Sequence, residues 1–135
     1  MTPLFTCSIP GRVGIKKNRT QRHYSFRLKR TITMPSDKYL SWARMAMPYV
    51  VQSRNHADTI SDPLEAHYRF YFKNRANEAD VSNCIEGFAD LMQKAGVIKD
   101  DRLIMRLTAE KFFGEEPRAE VELFPFQSNQ KKENK

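Results

Sequence analysis

The stretch DVSNCIEGFADLMQKAGVIKDD, residues 80–101, carries the strongest structural signal in this chain of 135 residues. At about 100° per residue, with Asn83 as zero, Leu91, Cys84, Ala95, Phe88, Val81, Met92 and Ile85 fall between about 80° and 200°. They make one apolar face, and the spacing predicts a helix from about Asp80 to Lys94. Gly96 follows, where a left-handed C-cap is wanted. The opposite face is acidic: Glu86 lies near about −60° and Asp90 near about −20°, on one arc with Asp80 and Asn83. Asp100 and Asp101 come just before an expected strand, where a short return connection would bring them back beside the start of the helix.

Outward from this helix, Leu103 to Thr108 reads as a strand, Lys111 to Pro117 as a turn around Gly114, and Ala119 to Phe124 as a final alternating strand. On the amino-terminal side, Leu64 to Phe72 is aromatic-rich and alternates, which favours a strand. An earlier helix begins at Pro35, Ser36 and Asp37 and carries Tyr39, Ala43, Ala46 and Val50 at helical spacing, with Pro48 expected to kink or interrupt it. The run from Pro3 to Pro10 reads as a strand, Gly11 to Gln21 as an exposed basic loop, and His23 to Leu28 as a second strand. The result is a single α/β or α+β domain over residues 1–126, a mixed sheet with two main helices, followed by a polar tail over 127–135.

Charge is distributed unevenly. The chain carries a net +7 with a pI near 9.6, yet residues 1–75 hold 14 basic and 4 acidic side chains (+10) while residues 76–135 hold 9 and 12 (−3). Arg12, Lys16, Lys17, Arg19, Arg22, Arg27, Lys29 and Arg30 all precede Asp37, the first acid of the chain. Such a block cannot neutralise itself locally, and it suits a polyanion; Asn18 and, further on, Arg75 join it as candidate DNA contacts.

Other chemistries are poorly served. Cys7 and Cys84 stand 77 positions apart, without the C-x-x-C spacing of a zinc or redox site, and His23, His56 and His67 are scattered. No apolar run reaches the roughly 18 residues of a membrane span and no signal-peptide pattern is seen. The expectation is a soluble cytoplasmic chain with no membrane partner.

The acids have ordinary readings: an N-cap at Asp80, an Asp90 to Lys94 ion pair, and turn chemistry at Asp100 and Asp101. Their company with a basic arm suggests more. Hydrolysis of a phosphodiester needs oxygen ligands for Mg²⁺ or Mn²⁺ at the cut and cations for the flanking phosphates. Trp42, Met45 and Met47 read as core or dimer-contact residues, and Phe112 and Phe113 as core residues that could otherwise wedge into DNA.

Asp80-Val81-Ser82-Asn83, Asp90, Lys94-Ala95-Gly96, Asp100-Asp101 and Lys111, with Ile9-Pro10-Gly11 and the Lys17-Asn18-Arg19 loop, together resemble the RusA-type Holliday junction resolvases over roughly residues 4 to 124. The resemblance implies a small homodimeric endonuclease, often carried by phages or prophages, that nicks four-way DNA junctions with Mg²⁺ or Mn²⁺ in recombination and repair. It carries the family's catalytic acids over to Asp80 and Asp101. Two positions depart from the pattern: the second Asp of D-x-D-N is Ser82 here, and the helical Lys is Glu86. The reading that follows is that Glu86 compensates for Ser82, with Asp90 and Asp100 as further metal candidates, and that Lys111 replaces the lost lysine. A non-catalytic nucleic-acid-binding module of the same fold, or a nuclease for other branched DNA, fits the same residues.

Overall fold

The computed structural model describes residues 2–15, 20–35, 37–114 and 116–128, with the side chains of 20–23, 32–35 and 77 outside that description. Strands β1 (Phe5–Pro10), β2 (Thr20–Ser25) and β3 (Arg30–Pro35) precede helix α1 (Asp37–Arg54) and strand β4 (Leu64–Phe72). Helix α2 (Val81–Lys94) and strands β5 (Ile104–Phe113) and β6 (Arg118–Pro125) follow, with short 3₁₀ turns at Arg75–Asn77 and Asp101–Leu103. β2 and β3 form a separate antiparallel hairpin, and the main sheet has the order β1-β6-β4-β5. β6 runs antiparallel to both β1 and β4, while β5 is parallel to β4. The expected α+β domain with a mixed sheet and two helices is what forms.

Alternation positions the sheet. Leu64, Ala66, Tyr68, Phe70 and Phe72 of β4 are buried, as are Ala119, Val121 and Leu123 of β6 and Phe5, Cys7 and Ile9 of β1. All join one core with Tyr39, Trp42, Ala46 and Val50 of α1 and Cys84, Phe88, Leu91 and Met92 of α2. Burying each large apolar side chain contributes about 1.5–3 kcal/mol. The opposite sheet face is a polar ladder, in which Arg69 donates to Glu120 and Glu122 at 2.9 Å each and Arg106 donates to Glu65 at 3.1 Å. Such a face needs no covering layer.

The two helices lock through a close approach at glycine. The Tyr39 hydroxyl donates to the Gly87 carbonyl at 3.1 Å, and a Cβ on Gly14 would sit 2.7 Å from Trp42 Cβ. Trp42 is thus a core residue. α2 ends in the expected way: Gly96 has φ +78, its N–H donates to the Gln93 carbonyl and the Val97 N–H to the Met92 carbonyl, which is a Schellman motif.

Several expectations are corrected. α1 runs unbroken through Pro48, because its buried stripe of Tyr39, Trp42, Ala46 and Val50 holds the turns on both sides of the proline. Residues 30–35 form a strand that the helix-start reading at Pro35 concealed, and the second strand is Thr20–Ser25 rather than His23 to Leu28. β5 continues through Lys111 to Phe113, where a turn was expected. Neither aromatic there belongs to the core: Phe112 stacks on Tyr71 at 4.8 Å, and Phe113 is exposed with Arg75 5.5 Å from its ring. Residues 129–135 of the expected tail lie outside the described residues.

Candidate active site

β1, β4 and β5 point the same way, so the chain leaves all three at one end of the sheet. α2 starts at that end. Ligands of open α/β sheets characteristically bind beyond the carboxyl ends of strands. Here Arg12 follows β1, Arg75, Glu78 and Asp80 follow β4, and Lys111 lies near the end of β5.

Asp80 is the N-cap of α2, with φ −62 and ψ 132, and its carbonyl accepts from the Asn83 and Cys84 N–H groups at 3.1 Å each. An N-cap aspartate ordinarily spends its carboxylate on the helix's own first N–H groups. Asp80 makes no such side-chain bond. Its carboxylate is exposed and sits at the positive end of the helix dipole, which favours an anion there.

Two cations act on the first turn of the same helix. Cys84, buried in the first turn of α2, has its thiol pushed up to about 12 by burial, with Arg12 and Lys111 pulling it down and Asp80 pushing it up. All three charges therefore act on the same turn. Lys111 donates from Nζ to Glu78 Oε2 at 2.8 Å, with both side chains about three-quarters buried, and Arg75 Nη2 lies 3.6 Å from Glu78 Oε1. The Lys111 hydrogen bond holds the Glu78 carboxyl below its ordinary range. Glu78 went unnoticed in the sequence because it precedes the helix and its partner is 33 positions away.

Asp101 lies elsewhere. Its N–H donates to Gln93 Oε1 at 3.2 Å, beside the last turn of α2, whereas Asp80 is at the first. The 14-residue helix spans about 21 Å, so the expectation that Asp100 and Asp101 return to the helix start is not met. The reason is topological: a helix linking two parallel strands runs back along them and delivers the chain to the far end of the sheet. There Asp101 acts on the buried Tyr68 phenol, raised chiefly by burial and then by that carboxylate, whose hydroxyl has no hydrogen-bond partner.

The remaining acids have local partners. Asp100 accepts from Arg102 N at 2.8 Å, Nε at 3.1 Å and Nη2 at 2.9 Å, and this holds its carboxyl down to about 2. Asp90 pairs with Lys94 at 3.0 Å and accepts from the Tyr39 hydroxyl at 3.3 Å. Glu86 is exposed on α2, six positions after Asp80. Among the described residues no three His, Cys, Asp or Glu side chains are grouped as a metal cage. Arg12, Lys29, Arg30 and Arg75 are exposed, while Lys16, Lys17, Asn18, Arg19 and the Arg22 side chain lie outside the described residues.

The fold and this corner define an α+β protein with a carboxylate and several cations gathered at one helix N-terminus, as a protein that works on phosphodiesters requires. The model of a family described as endodeoxyribonuclease RusA matches residues 10–124. The chain belongs to that family, and no curated protein matches it. Among the described residues no helix is long and apolar enough to cross a membrane.

Proposed function

We propose that the chain is a divalent-metal-dependent endonuclease that resolves four-way DNA junctions by paired nicking, acting as a homodimer in recombination and repair. The observation that carries this reading is the corner at the start of α2: an uncommitted N-cap carboxylate on Asp80 with Arg12 and Lys111 acting on the same turn.

The donor set suits Mg²⁺ or Mn²⁺. These are hard cations, and Mg²⁺ commonly takes only one or two protein carboxylates, completing its shell with water and substrate phosphate. A three-acid cage is not required. Asp80 and, from a second copy of the chain, Asp101 are the proposed ligands, with Glu86 standing in for the anionic ligand lost at Ser82 and Asp90 and Asp100 more remote. When bound, the metal supplies a water of lowered pKa and polarises the phosphate. The chain's own residues do the rest: Lys111 and Arg12 neutralise phosphate oxygens, and Glu78 holds the Lys111 ammonium beside the helix terminus.

A second copy completes the arrangement in this reading. β5 is an edge strand, and it exposes Met105 (59%), Leu107 (44%) and Phe113 (38%). An open edge with apolar side chains is a template for strand pairing, and pairing it with its own copy gives a twofold interface. Antiparallel pairing would lay the start of one β5 beside the end of the other, and with it Asp101 of one copy toward Asp80 of the other. That twofold also matches the symmetry of a four-way junction.

The test is incubation with four-way, three-way and linear duplex DNA, with and without Mg²⁺, scoring symmetric nicks. Cleavage of three-way or flap DNA in place of the four-way substrate would favour a broader branched-DNA nuclease.

A further inference from the structure

The β2–β3 hairpin ends in a four-residue loop between Ser25 and Arg30, which are paired. Phe26 at its tip is 86% exposed, with Tyr24 at 54% and Leu28 at 51%. Single exposed apolar residues are ordinary, but three on one tip are a patch that calls for an occupant. The tip has a defined shape. The Leu28 N–H donates to Ser25 Oγ at 3.1 Å, Lys29 sits in the left-handed region at φ 54, and the Tyr24 ring meets Phe26 edge-on at 5.0 Å.

The charges around the patch select the occupant. Arg27, Lys29 and Arg30 are exposed beside it, and no acidic residue occurs before Asp37. Cations interleaved with aromatics are the pattern of surfaces that track a phosphate backbone and stack on bases. Intact duplex presents only base edges in its grooves, whereas at a branch point the stack is interrupted and an apolar side chain can wedge against a base face at lower unstacking cost. We propose that this hairpin tip is a second DNA contact, separate from the α2 corner, in which Phe26 stacks on an exposed base at the branch point and so selects branched over linear DNA. The inference rests on the junction-nuclease reading.

The test uses the full chain without divalent metal, so that DNA is bound and not cut. Wild type, Phe26→Ala and Phe26→Trp are titrated against a four-way junction with 2-aminopurine at the crossover, a linear duplex and a single-stranded oligonucleotide. Stacking on one base corresponds to a loss of about tenfold in junction affinity for Phe26→Ala. Phe26→Trp retains binding, duplex affinity stays within about twofold, and the dependence on salt is unchanged because no cation is removed. The 2-aminopurine signal seen with wild type is lost with Phe26→Ala. Unchanged junction affinity, an equal loss on junction and duplex, or a shift in self-association with DNA binding intact would each overturn the proposal. Should wild type show no preference for the junction, the junction reading itself fails. The single-stranded arm then decides the stacking role by the same tenfold loss or its absence.

Discussion

Asp80 is the N-cap of α2 but its carboxylate makes no capping hydrogen bond, and that departure from ordinary N-cap behaviour leaves the charge available for chemistry. Replacing Asp80 by Asn keeps the shape and removes the charge. Asp80→Asn is expected to reduce junction nicking by at least about 100-fold, the scale seen when one charge-stabilising group leaves an active site, while junction binding measured by gel shift is retained. Glu78 offers a test of sign. If it merely adds negative charge near DNA, Glu78→Gln tightens junction binding; if it positions Lys111, Glu78→Gln weakens binding by about threefold and adds nothing in a Lys111→Met background. The Lys111 hydrogen bond lowers the Glu78 carboxyl, so the pair is intact at neutral pH and is lost only as pH falls through that depressed value. Asp100 shows the same sign more strongly, being lowered from 3.8 to about 2 by Arg102. Its contribution to stability is full above the ordinary carboxylate range and disappears as pH falls toward about 2. Urea midpoints measured from pH 5 downward should therefore drop more steeply in the wild type than in Asp100→Asn.

α2 is the element that organises both the core and the site, and its packing on α1 tolerates little. A Cβ at Gly87 would lie 3.0 Å from Tyr39 Cε1 and 3.1 Å from the Gly14 carbonyl oxygen, so Gly87→Ala is expected to cost about 1–3 kcal/mol in urea unfolding. Much of this element was legible beforehand: the apolar stripe from Val81 to Ala95 and the glycine at 96 fixed its span, face and end. β1, β4 and β6 were legible for a similar reason, since each alternates against one core. The extension of β5 was not, because an edge strand keeps Glu110 and Lys111 partly solvated and so blurs its period. β3 was hidden by its basic surroundings and by Pro35, whose helix-start signal is real but begins two residues later at Asp37. Asp80, Glu86 and Asp90 could be placed on one helix face, yet a helical wheel reports angle and not distance. Hence the separation of Asp101 from Asp80 became visible only with the crossover geometry, and Glu78 only with the β5 register that brings Lys111 to it.

Over the whole molecule, the net charge of +7 resolves into parts with different tasks. The sheet's second face cancels its own charges, Arg69, Arg106 and Arg118 against Glu65, Glu120 and Glu122. The α2 corner and the hairpin tip carry exposed cations suited to DNA. A twofold assembly through β5 is the remaining global claim. Leu107→Lys on that edge should shift the chain to monomer in analytical ultracentrifugation and abolish paired nicking, with little change in melting temperature because Leu107 is already 44% exposed. The proposed junction nuclease is tested most directly by cleavage of a synthetic four-way junction by the wild-type chain, compared with linear duplex in the presence and absence of Mg²⁺. Symmetric paired nicks are expected on the four-way substrate, requiring Mg²⁺ and vanishing in Asp80→Asn. Equal cutting of duplex and junction, or undiminished cutting by Asp80→Asn, would contradict the junction-nuclease reading.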